Sequence, residues 1–290
     1  NNASSNAFAA WVSSSSSLAV LRLGAARGWV RLDGEPFADV LSDVLIANKV
    51  FNAIDRDEFG ATVIAQNVLT GTASDGSAGA SCSDWTTTSG ALGKGNSTGG
   101  PVSWTAFGTM SCSQSARIYC LMKTMNTALV LPVPPPGSRK LWITSNGYVP
   151  GSAATPDQTC NLDRPSGVAS AKAVITTTVS AAVNALGLGE TYVRPDGQIV
   201  GSGAEIATTE IRTGIWQTSS GTYLGTAVGV WTGDAGDLTL TGTLGGTCTN
   251  WTSTSGTGGI GFATLSDAHW WNFGAYACTT SAFRLVCAEQ

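Results

Sequence analysis

Cys82-Ser-Asp-Trp85-Thr-Thr-Thr-Ser-Gly90 recurs later in the chain as Cys248-Thr-Asn-Trp251-Thr-Ser-Thr-Ser-Gly256. The match runs without a gap to the next cysteine. Gly93 and Gly95 meet Gly259 and Gly261, Trp104 meets Trp270, Phe107-Gly108 meets Phe273-Gly274, and Cys112 meets Cys278. After a one-residue shift, Arg117-Ile-Tyr-Cys120 meets Arg284-Leu-Val-Cys287. Upstream, Gly28-Trp-Val-Arg-Leu-Asp33-Gly34 resembles Thr191-Tyr-Val-Arg-Pro-Asp196-Gly197, and Val68-Leu-Thr-Gly71 resembles Val230-Trp-Thr-Gly233. A fixed pattern carried twice is a tandem duplication.

The duplication sets the domain plan. Repeat 1 covers residues 1–122, residues 123–140 form a proline-rich linker or a replacement strand, and repeat 2 covers 141–290. Repeat 2 opens with the strand-like Lys140-Leu-Trp-Ile-Thr-Ser145, then a glycine turn, then Cys160. Repeat 1 has no counterpart of this opening.

Composition narrows the classes of function. Fifteen Lys+Arg against 19 Asp+Glu leave a net charge of −4, which supplies no basic face for nucleic acid. The longest apolar runs, such as Ala128–Val133, fall far short of the ~20 residues of a membrane helix. A single histidine excludes a histidine-rich metal site within one chain. With 42% hydrophobic residues and 12% charged ones, disorder is not expected. A start at Asn1 without methionine fits removal of an upstream piece such as a secretory signal.

Short β-rich runs bounded by glycine or polar residues predict strands at Leu141–Thr144, Val193–Arg194, Val228–Trp231 and Ala282–Cys287. Phe37–Asn52 carries apolar residues at Val40, Leu41, Val44, Leu45 and Val50, the spacing of an amphipathic helix. Ala169–Leu186 is expected to be extended and then to enter a short helix at Val179–Leu186. Gly71–Ser81 and Gly90–Gly100 are expected to be long surface loops. The fold class is α+β, with short strands, few helices and long loops.

Seven cysteines without a Cys-x-x-Cys pair suggest structural disulfides and an oxidising compartment. The two repeats share one spacing, so the natural pairs are Cys82–Cys112 and Cys248–Cys278. Cys160 and Cys287 remain in repeat 2 and would join its first and last parts. Cys120 stands at the Cys287 position without a partner. It is a buried free thiol, or it pairs with residues cleaved away, or it pairs with another chain.

Repeat 2 resembles the endostatin-like branch of the C-type-lectin-like fold, as found in secreted and surface proteins of bacteria. The resemblance rests on the order of Leu141–Ser145, Cys160, Tyr192-Val-Arg-Pro-Asp-Gly-Gln-Ile-Val200, Val230-Trp-Thr-Gly233, Cys248-x-x-Trp251 and the terminal Arg284-Leu-Val-Cys-Ala-Glu-Gln290. It covers repeat 2 and about the last three quarters of such a domain in repeat 1. It implies two tandem domains of this fold, and its nested disulfides agree with the pairings above. The calcium-dependent sugar motifs of the lectins are absent: Glu35-Pro-Phe37, Ser83-Asp-Trp85 and Thr249-Asn-Trp251 do not match them. Endostatin's zinc histidines and heparin-binding arginines have no counterparts, so the fold alone does not imply sugar binding.

His269-Trp270-Trp271 is the most conspicuous local feature. Trp270 matches Trp104 and belongs to the frame, whereas His269 and Trp271 are particular to repeat 2. An exposed aromatic pair in a loop would stack on a glycan or anchor a protein partner. The alternative is local packing. A hydrolase triad would use His269, Asp267 and a distant serine, but no Gly-x-Ser-x-Gly elbow accompanies them. Asp55, Asp57 and Glu58 cluster without a matching set in repeat 2 and suit a solvated loop. Asp75, Asp234 and Asp237 lie in oxygen-rich loops that calcium would favour, yet their spacing differs between repeats, which suits turns better. No other cofactor is expected. Asn2, Asn96 and Asn250 begin glycosylation sequons.

Without its opening strand, repeat 1 should leave the strand around Arg117–Met122 with an open edge. Three covers are expected candidates: Ala128–Val133 folding back, a strand from a neighbouring subunit, or a separate N-terminal fragment. Together these features point to an extracellular, non-catalytic structural or adhesive protein, a self-assembling surface or filament subunit. Its partners would be copies of itself or surface components. The alternative is a glycan-binding module built around Trp271.

Overall fold

The computed structural model describes residues 7–290, and the Asn2 sequon lies outside them. The chain divides into two compact units, Asn1–Leu131 and Pro132–Gln290, with the division inside the proline-rich stretch. Each is α+β, with short strands in small sheets and few helical turns.

The N-terminal unit contains β1 (Phe8–Ala10), β2 (Trp29–Val30), β3 (Pro36–Ala38), β4 (Asn67–Leu69), β5 (Ala91–Asn96), β6 (Gly108–Ser111), β7 (Arg117–Ile118) and β8 (Cys120–Met122). They form two two-stranded sheets, β1-β8 and β2-β3, and a four-stranded sheet ordered β6-β5-β4-β7. The C-terminal unit contains β9 (Arg139–Ile143), β10 (Ala171–Ala173), β11 (Thr191–Val193), β12 (Ile199–Ser202), β13 (Gly229–Trp231), β14 (Thr257–Phe262), β15 (Gly274–Ala277) and β16 (Val286–Glu289). Here one sheet runs β10-β16-β9-β11-β12 and a second runs β13-β14-β15.

One difference between the units is a strand, β9. β9 pairs antiparallel with β16 on one side and parallel with β11 on the other. It thereby joins the counterparts of β1-β8 and β2-β3 into one sheet. The N-terminal unit has no counterpart of β9 among the described residues, so its sheet remains in two pieces.

Some glycines shared by the repeats are steric requirements. A Cβ at Gly95 would stand 1.7 Å from the Trp104 carbonyl oxygen, and one at Gly261 would stand 1.9 Å from that of Trp270. The backbones cross too closely there for any side chain.

The repeated Cys-x-x-Trp segments are left-handed. φ is 53°, 52°, 58° and 69° through Cys82–Trp85, and 47°, 56°, 56° and 66° through Cys248–Trp251. The Trp85 amide bonds to the Ser81 carbonyl at 2.6 Å, and the Trp251 amide to that of Thr247 at 2.7 Å, closing a left-handed turn. Such backbone costs roughly 1–2 kcal/mol per non-glycine residue and persists only when its surroundings over-determine it. Those surroundings are visible. The Cys82–Cys112 and Cys248–Cys278 disulfides anchor the first residue, each across a separation of 30. The indoles donate to Ser13 O at 3.0 Å and to Thr176 O at 2.7 Å. The middle side chains are also held: Asp84 accepts from the Ser15 amide and hydroxyl, and Asn250 exchanges two bonds with Thr178.

Several local expectations need correction. Phe37–Asn52 is not one helix: it is β3 followed by a six-residue helix, Leu41–Ile46, in which only Val44 is buried. Gly90–Gly100 is not a surface loop. It holds β5, an inner strand of its sheet, and its glycines admit neighbouring backbones. The last strand lies at Val286–Glu289, later than Ala282–Cys287, and Arg284 makes only an isolated bridge to Val230. The helix expected at Val179–Leu186 is a 3-10 turn, Ala182–Ala185. A helix at Pro156–Leu162 carries Cys160. Its start is a capping box, with the Thr155 amide donating to Gln158 Oε1 at 2.9 Å and the Gln158 amide donating to Thr155 Oγ1 at 3.2 Å.

Candidate functional site

The His269 loop is built inward. Trp271 is 0% exposed, and its indole donates to Ala235 O at 3.2 Å. Trp270 is also buried and donates to Thr209 O at 3.1 Å. The expectation that Trp271 offers a ring to a ligand is therefore overturned: both indoles spend their faces and their N–H groups on the core. His269 is half-exposed. Its Nδ1 lies 2.6 Å from Asp267 Oδ1, the same oxygen that accepts the His269 amide at 2.8 Å. Asp267 thus caps the 3-10 turn Ala268–Trp270 and fixes the imidazole as part of that cap.

The acidic candidates also serve local structure. Asp75 accepts from the Ser77 hydroxyl and amide, which hold its carboxyl below the usual range. Asp237 accepts the corresponding pair from Thr239, and Asp234 from Thr243. Among the described residues, no group of three or more His, Cys, Asp and Glu could hold a metal ion. Asp57 caps a turn through the amides of Phe59 and Ala61. Asp55 lies 2.6 Å from Arg31 Nη1; burial pushes its carboxyl up, and Arg31 and Arg56 oppose that. Asn96 is buried in β5 and accepts from the Thr98 amide, which removes it as a glycan acceptor.

In the C-terminal unit the Arg-x-Asp-Gly motif shared by the repeats is a buried clamp. Arg194 is fully buried and forks onto Asp196, with Nη1 also donating to Thr213 Oγ1 at 3.2 Å and Gly214 O at 3.1 Å. Its guanidinium lies 4.9 Å from the centre of Trp216, and the Tyr223 hydroxyl donates to Asp196 at 2.6 Å. Burial alone would raise the Asp196 carboxyl; Arg194 and Tyr223 outweigh it and hold the carboxyl low. In the N-terminal unit Arg31 forks onto Asp33 in the same way.

What remains is a surface. The pairs Cys82–Cys112, Cys160–Cys287 and Cys248–Cys278 are disulfides, whereas Cys120 is free and exposed rather than buried. The N-terminal unit also exposes apolar residues whose counterparts are buried. Val30 is 45% exposed and Val193 1%; Trp85 is 37% exposed and Trp251 3%; Ile118 is 50% exposed and Leu285 0%. Residues 139–168 make the cover in the C-terminal unit: Trp142, Tyr148, Cys160 and Val168 pack in one cluster with Trp231, Trp251 and Leu285. The Tyr148 hydroxyl and the Gly151 amide both donate to Trp251 O.

β8 pairs with a strand, β1, on one side only. Tyr119 O and the Lys123 amide bond toward the β1 side, and Ala9 lies opposite Leu121. By alternation, the peptide groups of Cys120 face away from β1. At that register the C-terminal unit places Trp142 opposite Cys287. The segment after β8 does fold back, but not onto this edge. Met125 O accepts the Arg27 amide, Asn126 bridges to Arg27 in parallel, and the Leu129 amide donates to Asp39. Its path lies beside the residues that precede β2, so Ala128–Val133 is not a replacement strand for β8.

No known family matches the chain, and no curated protein is similar to it.

Proposed function

We propose that the chain is an extracellular, disulfide-bonded, non-catalytic protein of two tandem endostatin-like C-type-lectin-like domains. It serves as a structural or adhesive component of a cell surface. The observation that supports this most is the clamp built twice, in which a disulfide, a left-handed turn and a tryptophan N–H bond lock each unit. Disulfides persist where the surroundings are oxidising, and a locked frame suits a part that resists rather than moves. The absence of any membrane-length apolar helix among the described residues is compatible with this placement.

Immuno-electron microscopy of the native source, with non-reducing peptide mapping, tests the reading. Label on the cell surface or on filaments, with the three pairs oxidised, is the expected result. Recovery of the protein inside cells with all seven cysteines reduced would overturn it.

A further inference from the structure

The N-terminal unit exposes residues whose counterparts in the C-terminal unit are packed. Its uncovered residues Trp85, Ile118 and Cys120 are the counterparts of Trp251, Leu285 and Cys287, which pack with Trp142, Tyr148, Cys160 and Val168 in the C-terminal unit. The Cys120 side of β8 borders this exposed face, and at the next outward position of that edge the Trp29 indole already donates to Met122 O at 2.8 Å. We propose that this face is the seat of a strand-and-helix segment continuous with the chain ahead of residue 1. The segment is built like Arg139–Leu162, its strand pairs with β8, and its helix carries a cysteine that forms a disulfide with Cys120.

Three observations choose this occupant. Cys120 occupies the register of Cys287, which is bonded to Cys160 on the covering helix. An apolar strand such as Leu141-Trp142-Ile143 would satisfy the outward peptide groups of Cys120 and cover Ile118 as Trp142 packs with Leu285. A second copy cannot donate its own segment without leaving its own unit open, because there β9 is paired on both sides and Cys160 is already bonded. In the C-terminal unit the cover enters directly ahead of β10, the counterpart of β1. A segment joined to β1 therefore arrives from the correct side.

The covalent step rests on the oxidising compartment proposed above. Two thiols form one S–S bond and release two protons and two electrons. A disulfide-form oxidant, an oxidoreductase or glutathione disulfide, takes up the electrons and leaves as thiol.

The test uses the full chain and a synthetic peptide with the sequence of residues 139–168 as probe, in a glutathione redox buffer. One peptide should attach per chain, at Cys120, with loss of the free thiol and slowed amide exchange at β8. Cys120→Ser should abolish the covalent link and retain the slowed exchange. A scrambled peptide with its cysteine in place should do neither. In a companion arm the same stretch is fused ahead of Asn1, at the spacing that separates Cys160 from Ala171. Cys120 should then oxidise within the chain. Equal labelling by the scrambled peptide, unchanged exchange at β8, or a free Cys120 thiol in the fusion overturns the proposal. In native material, mapping should link Cys120 to an upstream cysteine of the same chain; a free thiol or a link to another chain overturns it. A free Cys120 beside three intact disulfides would sink this inference alone, whereas seven free thiols would sink the compartment.

Discussion

Thr249→Gly should stabilise the C-terminal unit, against the usual rule that glycine weakens ordered backbone. Thr249 sits at φ 56°, ψ 54° inside the left-handed turn, and its side chain is exposed. Holding a β-branched residue there costs roughly 1–2 kcal/mol. Glycine removes that cost and adds about 0.5–1 kcal/mol of unfolded-state entropy. The bond from residue 249's amide to Leu244 O survives, as do the Asn250–Thr178 pair and the Trp251 indole bond. The net gain is about 1 kcal/mol, which for a unit of this size raises Tm by about 2–4 °C. Calorimetry of the oxidised full chain, following the C-terminal transition, is the assay. Thr252→Gly is the control: Thr252 has negative φ and its hydroxyl donates to Thr249 O, so it should lower Tm. A fall in Tm for Thr249→Gly comparable to the control would refute the assignment of strain to this turn.

Three further outcomes follow from the same geometry. Gly261→Ala should cost about 3 kcal/mol or more, because its Cβ would stand 1.9 Å from the Trp270 carbonyl oxygen; urea midpoints of the oxidised chain would show it. Cys160→Ser should destabilise the C-terminal unit by about 2–5 kcal/mol and leave the N-terminal transition in place, since the lost bridge spans 127 residues within one unit. Asp196 has a folded-state pKa below its unfolded value, so its pairing contributes stability above about pH 4. That stability is lost as pH falls through the folded value, and Asp196→Asn should flatten the acid limb of a Tm–pH profile.

The His269 loop shows how far local sequence carries. An aromatic pair beside a histidine suits a binding loop as well as a packed one. Only the path of the chain past Thr209 and Ala235 turns both indoles inward. Asp267 is equally ambiguous in sequence, because one carboxylate serves a dyad or a cap. The helix carrying Cys160 was legible in Thr155-Pro156-Asp157-Gln158, a capping box with proline at the first helical position, and the strand-and-turn expectation passed over it. The glycine-rich stretch at β5 misleads for the opposite reason. Its glycines serve close backbone crossings, and composition alone cannot distinguish those from flexible turns.

The sequence by itself determined the duplication, the three disulfide pairs, the odd cysteine at position 120 and that residues 1–122 carry no match to Lys140–Ser145. All of these depend on identity and spacing along the chain, which covalent bonds and repeat register preserve. Only the tertiary structure decided that the Cys-x-x-Trp turns are left-handed, that Trp271 is core, and that among the described residues β1-β8 and β2-β3 stay separate sheets with Trp85, Ile118 and Cys120 exposed. Handedness, burial and the vacancy beside β8 arise where distant segments meet, and the energy that holds each in place comes from partners far away in sequence.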